Sequence, residues 1–157
     1  MTDHLQLIRQ KLDHLARMRQ YLDYSLGQTA ALLPIKDWSS LSAENHETLA
    51  AFRVRFGEFQ EHLGKTMRAV AIEEEQKTEP FGAVLAYMEK LGVLHDPLWW
   101  KSIRELRNAV NHEVEDDPTR LGAFFLQMTQ AVPALFVCHD KLRAFCHASY
   151  GIESHHP

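Results

Sequence analysis

Seven large apolar residues, Leu49, Phe52, Phe56, Phe59, Leu63, Met67 and Val70, recur every three or four positions. That spacing returns each residue to one side of a helix, whereas a half-buried strand needs strict alternation. The longest patterned stretch of the chain is therefore committed to an amphipathic helix. A second stripe precedes it: Leu5, Ile8, Leu12, Leu15, Met18, Leu22 and Leu26. Gly27 and then Pro34 are expected to stop that first helix. The stretch to Ser42 reads as a loop, with Trp38 packing back on the bundle, and Ser42 suits the N-cap of the next helix. Gly57 and Gly64 stand seven apart, nearly on one face. Because glycine weakens a helix, they predict close approach of a neighbouring helix. The run Glu73-Glu74-Glu75 is expected to be a solvated helix end.

The same period continues to the C-terminus. Thr78 is predicted to cap a third helix with Pro80 in its first turn, Phe81, Val84, Leu85 and Met88 face inward, and Gly92 ends it. Asp96-Pro97 repeats the cap-and-proline signature for a fourth helix and Asp117-Pro118 for a fifth. The fifth carries Leu121, Phe124, Phe125, Met128, Val132, Leu135, Phe136, Leu142 and Phe145, with a kink expected at Pro133. No segment alternates with period two, and no repeat or low-complexity tract is present. The expected fold is all-α: one domain over residues 1–157, an antiparallel bundle of four to five helices with short connections.

A chain of 157 residues can bury roughly 68–70% of its unfolded surface, so it needs no disulfide or metal to hold a core. Its hydrophobic share of 45% and charged share of 24% are those of a globular protein. No apolar run is read as reaching the roughly 18 residues of a membrane span, and the N-terminus lacks the apolar centre of a signal peptide. A cytoplasmic protein is the expectation. Cys138 and Cys146 would lie roughly 12 Å apart along one helix, too far for a disulfide or one shared metal, so both read as buried or half-buried thiols. A net charge of −4 argues against a sequence-independent nucleic-acid coat but leaves room for a local basic site. Ten histidines are scattered along the chain, most of them expected at the surface.

The fourth helix is unusual. Arg104-Glu105-Leu106-Arg107-Asn108-Ala109-Val110-Asn111-His112-Glu113 gathers two arginines, two asparagines and a histidine. With Arg104 set at 0° and about 100° per residue, Trp99, Ile103, Leu106, Val110 and Val114 fall at about 200–280°, the expected core face. Asn111, Asn108 and His112 fall on the opposite side, and Arg107 on the border, at about 300°. Trp99 is expected in the core, and Trp100 is left undecided at about 320°. Arg104 and Lys101 are expected in solvent. A merely solvated face would carry Glu, Lys and Gln, which suit helices better. Amides here imply a polar partner, a second subunit or a phosphate-bearing ligand. The residue types suit phosphodiester chemistry: histidine can take and return a proton near neutrality, arginine offers a forked permanent charge to phosphate oxygens, and asparagine can orient either. His112-Glu113 starts like a zincin motif, but position 116 is Asp116 and Pro118 breaks the helix, so no zinc site is expected.

Arg107-Asn108-Ala109-Val110-Asn111-His112 resembles the Arg-x4–6-His signature of the HEPN superfamily, with a polar residue after the arginine. The segments 52–70, 81–94 and 104–118 look like its HepT-like branch, and the resemblance covers roughly residues 45–145. It implies a helical-bundle homodimer with two copies of the motif facing each other across a two-fold cleft. It also implies a metal-independent endoribonuclease toxin with no cofactor, RNA as substrate, and a small nucleotidyltransferase antitoxin as partner. Arg107, His112 and Asn108 would be the catalytic residues. The other reading implied is a non-catalytic, substrate-binding subunit of such a nucleotidyltransferase. Similar toxins read Arg-x4-His-x-Tyr, and that tyrosine is the residue the antitoxin adenylylates. Val114 stands at that position here, so no adenylyl group is expected on the peptide around residues 105–120.

Overall fold

The computed structural model describes residues 2–112 and 118–153; the side chains of residues 111, 112 and 118 lie outside the described set. Five helices follow one another: α1 (Asp3–Ala30), α2 (Ala43–Glu73), α3 (Phe81–Lys90), α4 (Pro97–His112) and α5 (Pro118–Tyr150), with a 3₁₀ turn at Trp38–Ser40. Among the described residues there is no strand. The chain is thus an all-α bundle.

The stripes become the core. All seven apolar residues of the α2 stripe are at most 1% exposed, and Ile8, Leu12, Leu15 and Leu22 of α1 join them. α1 and α2 run antiparallel: His4 at the start of α1 meets Glu73 at the end of α2, His14 meets His62, and Tyr21 meets Arg55. α5 closes the core against α1, α2 and α4. Trp38 stacks on Phe125 and meets His46 edge-on, so the connecting loop is tied down as expected. The caps follow local chemistry. Ser42 accepts from the Asn45 amide at 3.0 Å, and Asp96 from the Leu98 amide at 2.9 Å, each supplying an orphan helix-start donor with a partner. Gly92, at φ 77, ends α3.

Several expectations fail for identifiable reasons. Gly27 does not stop α1, which continues to Ala30. A lone glycine costs a helix about 1 kcal/mol, less than the apolar stripe supplies. Thr78 does not cap α3; Pro80 occupies the N-cap position with no side-chain cap. Glu74 is not solvated: its carboxylate accepts from the Tyr87 and Tyr150 hydroxyls at 3.2 and 3.0 Å, joining the end of α2 to α3 and α5. Glu75 takes the left-handed conformation, φ 56, and the Gln76 amide donates back to the Ala71 carbonyl at 2.9 Å, a Schellman end without its usual glycine. His139 is fully buried rather than at the surface, edge-on to Phe59. Pro133, where a kink is expected, lies inside α5, and the helix continues on both sides of it. Contrary to expectation, α5 also contains an 18-residue stretch apolar enough, at a mean hydropathy of 1.6, to cross a membrane by length and composition. Of that stretch, 44% is buried inside the bundle, and a helix that closes a core has the same composition. The expected cap Asp117, the core position Val114, and Glu113 and Asp116 lie outside the described residues.

Candidate functional site

α4 carries the motif, and α2 decides where its side chains go. The two glycines of α2 face it. A Cβ added at Gly57 would sit 3.2 Å from Arg107 Cδ, and one at Gly64 would sit 3.2 Å from Trp100 Cζ2. The close approach expected of Gly57 and Gly64 is therefore present, and α4 is the neighbour. Between the two glycines, Gln60 is only 4% exposed. The Arg107 guanidinium reaches across and donates from Nη1 to Gln60 Oε1 at 2.8 Å and to the Gly57 carbonyl at 3.4 Å.

This packing rotates α4 from the expected phase. Trp100, not Trp99, is the buried indole, at 2% exposure, with Ile103 and Val110 beside it. Trp99 and Leu106 are only half-buried. The inward face centres about 40° further round than the apolar pattern implied. The reason is steric: glycines on α2 make room for an indole and an arginine that an ordinary apolar surface would exclude. Arg107 thus points toward α2 rather than along the amide side. Asn108 is exposed, as are Arg104 and Lys101. His112 is the last residue of α4; its side chain and that of Asn111 lie outside the described residues. Arg107 and Asn108 are placed on adjoining faces of one helix, with His112 one turn beyond Asn108.

Arg107 stands between two open cavities. One, about 400 Å³, is bounded by α2, the start of α3 and α4, and gathers Lys65, Arg68, Arg104 and Arg107 with Glu61 and Glu79. The other, about 280 Å³, lies on the far side of Arg107 and adds Arg53 and Glu58. Arg68 lies over the Phe81 ring, 5.1 Å from its centroid, a cation–π contact that fixes the guanidinium plane. Gln60, Lys65 and Arg68 were not singled out in the sequence. The signal for Gln60 and Arg68 was the helical spacing of Arg53, Gly57, Gln60, Gly64 and Arg68, which is continuous with the two glycines that were; Lys65 stands off that stripe. A further cavity, about 440 Å³, opens between α1 and the C-terminal end of α5. No motif residue lines it.

Other reactive groups lie elsewhere. Burial pushes the Cys138 and Cys146 thiols up to about 12, so these buried, free cysteines are inert as nucleophiles. Burial, the neighbouring His14 and Lys65 hold the His62 imidazole below its ordinary value. Among the described residues no group of three or more His, Cys, Asp or Glu is gathered to hold a metal ion. No protein-family model matches the chain, and no curated protein or solved structure matches it either.

Proposed function

We propose that the protein is a metal-independent endoribonuclease of the HepT-like kind, acting as a cytoplasmic toxin, with Arg107, His112 and Asn108 as its catalytic residues. The observation that carries the reading is Arg107: a half-buried guanidinium, anchored by one nitrogen to Gln60 and Gly57, at the meeting of two cation-lined cavities. Its Nε and Nη2 donors have no partner among the described residues. A forked cation held this way is pre-positioned for two oxygens of a phosphodiester.

In the reaction the RNA 2′-oxygen bonds to phosphorus as the bond from phosphorus to O5′ breaks. His112 takes the 2′-hydroxyl proton while water protonates the leaving 5′-oxygen, or it protonates that oxygen while water takes the 2′-hydroxyl proton. Arg107 stabilises charge on the non-bridging oxygens, and Asn108 orients the phosphate or the imidazole. The products are a 2′,3′-cyclic phosphate and a 5′-hydroxyl. A two-fold homodimer fits this reading, since the exposed Asn108 amide finds no partner within the described chain and a second subunit would supply one. A small nucleotidyltransferase is the proposed antitoxin, binding over the cleft.

A second reading has its own support. The Arg107–Gln60 bond satisfies a buried amide, so the arginine has a packing role even without chemistry. A non-catalytic partner subunit of a nucleotidyltransferase would keep that bond and lose the cleavage. Purified protein incubated with RNA in EDTA separates the two. The nuclease reading expects cleavage to 2′,3′-cyclic phosphate ends, abolished in His112→Ala. Activity that survives His112→Ala overturns the mechanism, and intact RNA with the wild-type protein favours the partner subunit. Intact-mass and peptide mass spectrometry of protein made together with the nucleotidyltransferase is expected to find no adenylyl group on residues 105–120, where Val114 replaces the acceptor tyrosine.

A further inference from the structure

Arg53, Gly57, Gln60, Gly64 and Arg68 recur at intervals of four, three, four and four. They form one stripe along α2, separate from the apolar stripe that fills the core. The stripe opens into both cavities beside Arg107, and from Arg53 to Arg68 it covers about 22 Å of helix. We propose that this stripe, with Arg104 of α4 and Lys65, is a track for the phosphates of a single RNA strand flanking the cut site. The inference rests on the reading above that RNA is the substrate.

Charge is the first support. The two cavities hold five cations, Arg53, Lys65, Arg68, Arg104 and Arg107, against three carboxylates, Glu58, Glu61 and Glu79. This local excess sits on a chain of net charge −4. Among the described residues the carboxylates are held by exposed pairs: Arg55–Glu58 at 3.8 Å, Lys65–Glu61 at 3.6 Å and Arg68–Glu79 at 3.5 Å. Such pairs contribute little in water, so an incoming phosphate displaces them at small cost. Arg53 and Arg104 have no hydrogen bond or ion pair among the described residues.

Geometry is the second. The cations flank one helix seam, Arg53, Lys65 and Arg68 from α2 and Arg104 and Arg107 from α4, and a single seam suits the backbone of one strand. Arg107 and Trp100 fill the space over Gly57 and Gly64, so the strand runs over the Arg107 guanidinium rather than against the α2 backbone. Arg68 is oriented by Phe81, and its buried Nε has no hydrogen-bond partner among the described residues. Trp100 is buried and takes no base, so recognition here is by charge and backbone, with little sequence preference.

The test is fluorescence anisotropy with a short fluorescein-labelled 2′-O-methyl oligoribonucleotide, which lacks the attacking hydroxyl and stays whole. Wild type, Arg68→Gln/Arg104→Gln, and the remote control Lys141→Gln are compared over a salt series, with unfolding midpoints measured alongside. The double variant is expected to bind severalfold more weakly. The slope of log affinity against log salt should shrink by about 1.4, since each single-strand phosphate left without its cation takes away about 0.7. Lys141→Gln should leave both unchanged. An unchanged affinity and slope in the double variant overturns the track, as does a polyglutamate peptide that binds as tightly as the RNA. Cleavable RNA separates this inference from the nuclease reading. RNA that binds through the stripe and is never cut leaves the track standing without the nuclease. RNA cut normally by the double variant, with unaltered binding, removes the track and leaves the nuclease.

Discussion

α2 meets its neighbours by two different rules on two faces. One face presents Phe52, Phe56, Phe59 and Leu63, all without exposed surface, and holds the bundle by excluding water. The other presents Gly57, Gln60 and Gly64 to α4 and admits an arginine and an indole between helices. The first face makes a fold that many apolar sequences could make. The second contributes less burial, and it fixes the position of one guanidinium. Core packing and the placing of Arg107 thus fall on adjoining sides of the same helix, and substitutions on the two sides should fail differently.

The largest effect belongs to the apolar face. Phe56→Ala should cost about 3–5 kcal/mol, read as a lower urea midpoint, with RNA cleavage per folded molecule unchanged. A smaller cost would mean the core is less closely packed than its burial implies. The two glycines sharpen the comparison on the other face, with opposite signs. Gly64→Ala presses on Trp100 Cζ2 at 3.2 Å and Phe81 Cζ at 3.5 Å; the buried indole has nowhere to move, and a net loss of about 1 kcal/mol is expected. Gly57→Ala presses on Arg107 Cδ, part of a flexible side chain that can give way. It should gain about 0.5–1 kcal/mol from helix propensity while slowing cleavage, because the guanidinium is displaced. Equal signs in thermal unfolding would show that the two contacts are alike.

Two pH effects concern groups that lie outside both faces. Burial raises both thiols from 9.0 to about 12, and burial and Glu74 raise Tyr150. A raised folded value means the contribution is complete below the unfolded value and is lost as pH rises toward the folded one. Stability should therefore fall from about pH 9 toward 12, and Cys138→Ala/Cys146→Ala should fall less steeply in urea titrations. The smallest effect is at His62, whose value is lowered from 6.5. Its contribution is present above pH 6.5 and is lost as pH falls through the folded value. His62→Gln should flatten the acid side of the stability profile slightly.

The apolar face was legible because its signal is local: large side chains at helical spacing specify burial whatever the partner is. Ser42, Asp96 and Gly92 were legible for the same reason, each acting within a few residues of itself. The site face was legible only in part. Gly57 and Gly64 announced a close neighbour, and Arg107, Asn108 and His112 announced polar chemistry, yet nothing local says that Arg107 should meet Gln60. That pairing depends on which helix lies across the glycines. The same blindness put Trp99 in the core instead of Trp100: the apolar pattern gives the average direction of α4, and two missing side chains on α2 turned it. Glu74 was missed because its two tyrosine partners come from α3 and α5.

Arg107 offers the most direct test, because both its roles can be read from one pair of preparations. Wild type and Arg107→Ala are assayed for RNA cleavage in EDTA and for urea unfolding. If the glycine face positions a catalytic guanidinium, the cleavage rate should fall by about a hundredfold or more. Stability should fall only by about 1–3 kcal/mol, as the buried Gln60 amide loses its partner, leaving the variant folded under assay conditions. Cleavage at the wild-type rate by folded Arg107→Ala would contradict the claim that this seam exists to hold a catalytic charge.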